Sequence, residues 1–224
     1  MINQLSKFGV EKSNIEKLKA YKSRDGFVLI DNKEFSEMIA YFKQFPVYKE
    51  IIPIMTDGQS NYSCLYIAGP MEGMICHLAH GEQNLEPKFK DISNFIKAIE
   101  SNNAYDFFEF DESVFDFPAT RDFNEFPNRK RIIDQLSIDL KTETDEQRIQ
   151  QTAFSIMALA LANEIESIIY SFLDHEDMYI QERAIELLGF HKYRPAKDKL
   201  KELTTKAMYN GQTAAKIALK KIGQ

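Results

Sequence analysis

Two histidines and a glutamate near the middle of the chain are its best candidate for a metal site. His77, His80 and Glu82 lie within six residues, and imidazole and carboxylate groups are common zinc ligands. The apolar run around His77 is typical of a β-strand, in which side chains three positions apart point to opposite faces. We therefore expect the two imidazoles to diverge and Glu82 to lie in the following loop. We predict neither a metal nor a cofactor.

Groups suited to nucleophilic catalysis are also poorly placed. Cys76 directly precedes His77 in the same predicted strand, so the thiol faces away from the base that a cysteine nucleophile needs. Cys64 falls on a neighbouring predicted strand, and we interpret both cysteines as buried reduced thiols. The nine glycines are dispersed, without a phosphate-binding Gly-Lys-Ser/Thr or a Gly-x-Ser-x-Gly motif. These patterns predict a protein that is not an enzyme.

Residues 104–128 concentrate acidic and aromatic side chains. Eight of these 25 residues are aromatic, seven are acidic and one is basic, so the segment alone matches the chain's formal net charge of −6. One interpretation is a connector whose rings pack onto the first domain or between domains. The other is a partner-binding surface, where carboxylates steer a basic partner and rings anchor it. The candidate residues for that surface are Asp106, Phe108, Glu109, Phe110, Asp111, Glu112, Phe115 and Asp116.

The first part of the chain, residues 1–103, shows a series of short strands. Apolar runs at 51–55, 62–68 and 74–79 each end at a glycine-containing turn signal. Strands this short, with so few residues between them, are expected to pair antiparallel. A further short strand is predicted at 26–31. The runs therefore predict an antiparallel sheet.

Helical patterns surround these strands. Apolar residues at helical spacing cover residues 10–20, the stretch after Asp31 and the stretch after Asp91. Asp31 or Asn32 is the predicted cap of the second helix and Asp91 or Ser93 that of the third, because such side chains accept hydrogen bonds from the free N–H groups of the first turn. We expect an α+β domain in which these helices pack on one face of the sheet.

The last part of the chain, residues 129–224, contains an internal repeat. Ala153, Ala184 and Ala215 recur at intervals of 31 residues, and apolar positions around them keep the same period. Each repeat is long enough for two helices, and a small residue at a fixed place lets neighbouring helices approach closely. The pattern predicts an all-α domain. It resembles the short HEAT-like repeats of phycobilisome-lyase-type proteins, and this resemblance implies a scaffold for binding.

The central fifty residues resemble a second family. The motifs are Pro53-Ile54 before an Asp-Gly turn, Asn61-Tyr62 opening the next strand, a G-P-x-x-G stretch at 69–73, and a histidine–acid loop before the helix FKDISNFIKAI. Together they resemble the core of the SUKH superfamily, which covers fungal regulators of cell-wall synthesis and many bacterial immunity proteins. The resemblance implies a SUKH-like α+β fold. It also implies an immunity protein that binds a toxin domain and blocks its active site.

Three functions remain open at this level. The first is an immunity protein that binds a basic toxin domain. The second is a cytosolic scaffold or regulatory protein that binds a cellular partner through the helical repeats. The third is a sensor whose small ligand lies between sheet and helix. All are protein or ligand binders without catalysis.

The composition indicates where the protein is located and which classes of partner it lacks. No apolar run approaches the ~20 residues that span a bilayer, and the N-terminus lacks the apolar region of a secretory signal. A nucleic-acid binder is expected to carry a basic stripe, and none is present. We therefore expect a cytoplasmic protein without membrane or direct nucleic-acid partners. A homodimer is compatible with the short repeat array.

Overall fold

The chain forms two compact units. The computed structural model describes residues 1–82, 84–120 and 126–223, and the chain divides into Met1–Phe117 (unit 1) and Pro118–Gln224 (unit 2). Within the described residues, the strands all lie in unit 1 and unit 2 is helical. This confirms the α+β class, with the strands in the N-terminal part and helices in the C-terminal part. The division falls inside the predicted connector 104–128, of which residues 121–125 lie outside the described residues.

Unit 1 is built on one antiparallel sheet. Its strands are β1 (Val28–Leu29), β2 (Ile51–Thr56), β3 (Tyr62–Tyr66), β4 (Ile75–Leu78) and β5 (Pro87–Phe89). They pair in sequence order, each antiparallel to the next, so the predicted strands β1 to β4 are confirmed. The sequence did not predict β5. This short edge strand begins at a proline, a residue that a sheet tolerates at an edge because no ladder bond is lost there.

Three helices flank the sheet. They are α1 (Lys12–Ala20), α2 (Asn32–Phe42) and α3 (Ile92–Ser101), and they confirm the helical patterns in the sequence. The Asp31 carboxylate accepts hydrogen bonds from the N–H groups of Lys33 and Glu34 at 2.8 and 2.9 Å. The Asp91 carboxylate accepts one from the N–H of Asn94 at 2.8 Å. Of the candidate caps, Asp31 and Asp91 are therefore the ones that form, and Asn32 and Ser93 are not.

The helices cover both faces of the sheet, which corrects the prediction of a single helical face. On one face, the Tyr62 hydroxyl donates a hydrogen bond to Glu34 of α2 at 3.0 Å. On the opposite face, which carries His77 and Phe89, the Phe89 ring lies 5.2 Å from the ring of Phe95 in α3. The central strands β2, β3 and β4 are accordingly buried along their whole length.

Unit 2 consists of helices that follow the sequence repeat. They are α4 (Arg129–Leu140), α5 (Glu146–Leu159), α6 (Met178–Phe190), α7 (Lys197–Lys206) and α8 (Tyr209–Gly223). Ala153, Ala184 and Ala215 occupy α5, α6 and α8, and all three are fully buried. The two-helix repeat is formed by α6 and α7. After α5, two short 3-10 turns (Ala162–Glu164 and Ile169–Phe172) take the place of the second helix.

A close helix contact in unit 2 gives a first testable prediction. A Cβ atom on Gly189 would lie 2.8 Å from the Cα of Ala218, so α6 and α8 approach too closely for any side chain there. We expect Gly189→Ala to lower the free energy of unfolding by about 1–3 kcal/mol, the usual cost of forcing extra atoms into a packed core. Equilibrium urea denaturation measures the change.

Gly223→Ala is the matched control for this contact. Gly223 also lies in a helix, but no atom of the described residues lies within 4 Å of the position that its Cβ would take. Alanine favours a helix more than glycine does, so we expect no loss of stability. Equal losses for the two variants would show that the approach of α6 to α8 does not set the cost.

Candidate partner-binding site

Residues 104–117, which we call the aromatic arm, are held against unit 1 by backbone contacts. The Arg24 guanidinium donates hydrogen bonds to the carbonyl oxygens of Ala104 at 2.8 Å and Asn102 at 3.1 Å. At the other end of the arm, the N–H groups of Asp116 and Phe117 both donate to the carbonyl oxygen of Lys88 in β5, at 3.0 and 3.2 Å. The arm is therefore fixed at both ends. Sequence reasoning did not single out Arg24, which lies far from the arm along the chain.

One side of the aromatic arm is part of the core. Phe107 and Phe110 are 7% exposed, and Phe117 is fully buried. The Phe110 ring stacks on Phe27 with 5.3 Å between centroids, and the Phe107 ring lies parallel to the His77 imidazole at 3.8 Å. These rings anchor the arm to its own domain. Phe110, a predicted partner anchor, is thus placed in the interior of unit 1.

The other side of the aromatic arm faces solvent. Phe108 is 58% exposed and Tyr105 55% exposed, and Glu109, Asp111 and Glu112 are exposed as well. Aromatic rings and carboxylates therefore share one accessible side of the arm. Because the buried rings hold its backbone in place, the aromatic arm presents its acidic side chains to solvent from a fixed backbone.

Four of the predicted carboxylates also shape the aromatic arm. They accept hydrogen bonds from backbone N–H groups: Asp106 from Phe108 at 2.9 Å, Glu109 from Tyr105 at 2.7 Å, Asp111 from Ser113 at 2.9 Å, and Asp116 from Lys90 at 2.9 Å. The hydrogen bonds from Ser113 lower the pKa of Asp111 below its usual value. Substituting these carboxylates would therefore disturb the backbone of the arm as well as its charge.

A hollow of 230 Å³ lies between the aromatic arm and the sheet. His77, Lys88 and Phe115 line it, and the half-buried Phe115 ring lies 5.6 Å from the Lys88 ammonium. Both ring nitrogens of His77 are buried and have no hydrogen-bond partner among the described residues. Burial lowers the pKa of His77 to about 4, with opposing effects from Asp57, which raises it, and Lys88, which lowers it. The imidazole is therefore neutral at physiological pH.

A second hollow, of 480 Å³, lies on the opposite face of the sheet and meets the first at the turn after β4. Tyr41, Tyr48 and Tyr62 line it together with His80 and Glu82, and we call it the tyrosine pocket. The Tyr62 hydroxyl donates its hydrogen bond to the carboxylate of Glu34 in α2. Sequence reasoning missed this pocket. Its signal was available in α2, where Glu34, Met38 and Tyr41 recur at the spacing of one helix face.

The two hollows are neighbours on unit 1. Ala79 and Glu82 line both of them, so the turn that follows β4 forms a shared wall. His77 lines the first hollow and His80 the second, which agrees with the divergence expected from their positions on the strand. Within the described part of the chain, no group of three or more His, Cys, Asp or Glu side chains is placed to hold a metal ion.

The two cysteines face each other inside the sheet. Cys64 and Cys76 are direct partners in the pairing of β3 with β4, and both are free and fully buried. Burial, the hydrogen bond with Cys76 and the proximity of that second thiol raise the pKa of Cys64 well above its usual value. The Cys64 thiol therefore resists ionisation, and thiolate is the reactive form.

No family model, curated protein or solved structure matches this chain. None of the helices in the described ranges has the length and apolar character needed to cross a membrane. The site has therefore to be interpreted from its own geometry and charge.

Proposed function

We propose that the chain is a non-enzymatic protein-binding module whose aromatic arm receives a basic partner. The two-sided structure of the arm is the observation that supports this function. Phe107 and Phe110 hold the arm in the core, while Phe108, Glu109 and Glu112 remain accessible. A surface that is ordered before binding loses little conformational entropy when the partner arrives.

The charge and the exposed ring have separate effects on association. Carboxylates attract a basic partner over distances of about a Debye length, which raises the rate of encounter. An aromatic ring that becomes buried in an interface supplies much of the affinity. In this proposal Glu109, Asp111 and Glu112 steer the partner, and Phe108 makes the central contact.

The resemblance to the SUKH superfamily gives the partner a chemical class. It implies that the chain is a cytoplasmic immunity protein, and that the partner is a toxin domain whose active site becomes covered. Toxin nucleases are commonly basic, and the aromatic arm is acidic. Occlusion by a complementary surface requires no catalytic group on the immunity protein.

The first test is whether a toxin domain is encoded beside the gene of this chain, and the second is the rate at which the chain associates with a catalytically inactive form of that domain. We expect Glu109→Lys/Glu112→Lys to slow association about tenfold at low salt, because electrostatic steering accounts for such factors. The difference should shrink in 0.5 M salt, where screening is strong. Stopped-flow mixing measures both rates. Asp106 and Asp116 are left intact because they hold the backbone, and Glu109→Gln/Glu112→Gln, which keeps an oxygen to accept the hydrogen bond from the N–H of Tyr105, separates the loss of charge from a change in the backbone.

Asp198→Lys/Glu202→Lys is the matched control. It makes the same change in net charge on exposed side chains of α7 in unit 2, so we expect an association rate close to that of the unmodified chain. If both double variants slow association equally, net charge and not the arm governs the encounter. A lack of binding to the toxin would contradict the immunity function itself.

The alternative function is a scaffold that binds a cellular partner through its helical repeats, which resemble HEAT-like units. Tyr179 and Tyr209, near the first turns of α6 and α8, are 52% and 82% exposed and support this alternative. If Tyr209→Ala abolishes partner binding while Phe108→Ala leaves it intact, the scaffold is favoured over the arm.

A further inference from the structure

The charged groups at the tyrosine pocket are acidic. Glu82 is exposed in its wall, and Glu34 accepts the hydrogen bond of the Tyr62 hydroxyl. Burial, this hydrogen bond and the negative charges of Glu34 and Asp57 raise the pKa of Tyr62 to about 12. No lysine or arginine is among the described side chains that line the pocket. A positively charged group would therefore be attracted to it.

The tyrosine rings form an aromatic wall around the pocket. The rings of Tyr41 and Tyr48 lie 6.3 Å apart at 31°, and Phe45 supports both at 5.0 and 5.9 Å. Tyr48 is only 7% exposed, whereas Tyr41 is 45% exposed. One ring is thus fixed in the core, and the other offers an accessible face. Aromatic faces attract cations that approach within about 6 Å of the ring centre.

The pocket is held by regular structure on one side and by a strained turn on the other. Glu34, Met38 and Tyr41 lie on one face of α2, which fixes their relative positions. Ser60 lies in the turn between β2 and β3 and lines the pocket. Its φ is 68°, a backbone conformation that residues other than glycine rarely adopt. Strained residues are often found where a site must be shaped for a ligand.

From this geometry we infer that the tyrosine pocket accepts an arginine side chain of the basic partner. The inference rests on the proposed protein-binding function and names the group that the partner inserts. Guanidinium is planar, so it stacks on a tyrosine ring and pairs with a carboxylate at the same time, whereas the ammonium of lysine acts as a point charge. Glu82 supplies the carboxylate and Tyr41 the ring.

The position of the pocket fits a partner that also contacts the aromatic arm. Ala79 and Glu82 line both the pocket and the hollow beneath the arm. The two hollows lie on opposite faces of the sheet and meet only at this turn, so a partner that covers Phe108 has to reach around the turn at 79–82 to place an arginine among the tyrosines. In this arrangement the arm attracts the partner, and the pocket fixes the position of the partner on unit 1.

The experiment is an NMR titration of the full chain with Nα-acetyl-arginine amide, followed through backbone amide shifts. We expect saturable shifts at Tyr62, Ala79 and Gly81, with a dissociation constant in the millimolar range, as befits a single side chain. The neutral isostere Nα-acetyl-citrulline amide should bind at least tenfold more weakly. Tyr41→Leu and Glu82→Gln should each weaken arginine binding about threefold or more without changing the melting temperature.

Tyr179→Leu is the matched control, because it removes a comparably exposed tyrosine from unit 2, outside both the arm and the pocket. It should leave the titration unchanged. Equal binding of the arginine and citrulline probes, shifts confined to other parts of the chain, or full affinity in both pocket variants would overturn the inference. No partner protein is present in this titration, so its failure is distinct from a failure of the charge-reversal experiment on the arm.

Discussion

Replacing Gly26 with alanine is expected to lower the free energy of unfolding by about 3 kcal/mol and to loosen the aromatic arm. Gly26 has a φ of +76°, a conformation that costs other residues about 1–2 kcal/mol. A Cβ atom there would also lie 1.8 Å from the carbonyl oxygen of Tyr105, so the arm backbone must move. Such overpacking adds about 1–3 kcal/mol. Urea denaturation measures the total loss.

Gly58→Ala separates the two causes. Gly58 has nearly the same φ, +77°, but nothing lies within 4 Å of its missing Cβ. Gly58→Ala should therefore lower the free energy of unfolding only by the cost of the backbone conformation, about 1–2 kcal/mol. Hydrogen exchange at the arm amides should accelerate in Gly26→Ala and stay unchanged in Gly58→Ala. Equal stability losses with equal exchange would mean that the arm does not depend on the contact with Gly26.

The helices of unit 1 could be predicted because their signals are local. Asp31 and Asp91 precede apolar residues at helical spacing, and each caps the helix that follows it. The strands ended where glycine permitted a turn, as at Gly58. Predicting which faces of the sheet the helices cover required a different signal, the pattern of apolar residues along the strands. Strand β2 is apolar at nearly every position, a pattern typical of burial on both faces, and this contradicts a one-sided sheet.

The aromatic arm shows what the sequence could not provide. Its composition indicates that some rings must be buried, but the choice between Phe107 and Phe108 depends on contacts made far along the chain. Arg24 and Gly26 fix where the arm backbone lies, and this backbone decides which rings face the core. Spacing within residues 104–117 carries no information about those distant partners. The exposed residues Phe108, Glu109, Asp111 and Glu112 were among the predicted candidates, whereas the burial of Phe110 was not predicted.

The tyrosine pocket depends on three separate elements in the same way. Tyr41 comes from α2, Tyr62 from β3 and Glu82 from the turn after β4. Each residue alone is ordinary in the sequence. Only the pairing of the strands in register, with α2 on the same face as Tyr62, brings them together.

Acidification from pH 7 to pH 4 is expected to remove about 3 kcal/mol of stability through His77 alone. Burial lowers the pKa of this imidazole from 6.5 to about 4 in the folded chain. Between these two values the unfolded chain binds the proton more readily than the folded chain, so stability falls as pH falls. The contribution is fully present above pH 6.5 and is lost as the pH approaches 4. A shift of this size corresponds to about 1.4 kcal/mol per pKa unit.

His77→Phe isolates this effect. Phenylalanine can keep the parallel stack on Phe107, and it removes two ring nitrogens that make no hydrogen bond. The loss of unfolding free energy between pH 7 and pH 4, measured in urea, should therefore be about 3 kcal/mol smaller in the variant. His191, whose pKa burial also lowers to about 4, is present in both proteins and cancels from the comparison.

His80→Phe tests whether any histidine of this turn would behave in the same way. The His80 side chain is exposed and does not lie beneath the arm, so the part of the pH dependence assigned to His77 should persist in this variant. If His77→Phe keeps the full dependence, the imidazole is not sealed beneath the arm, and the arm does not close over the sheet as its rings indicate. The same measurement thus tests the docking of the arm, on which the accessible side of the binding surface depends.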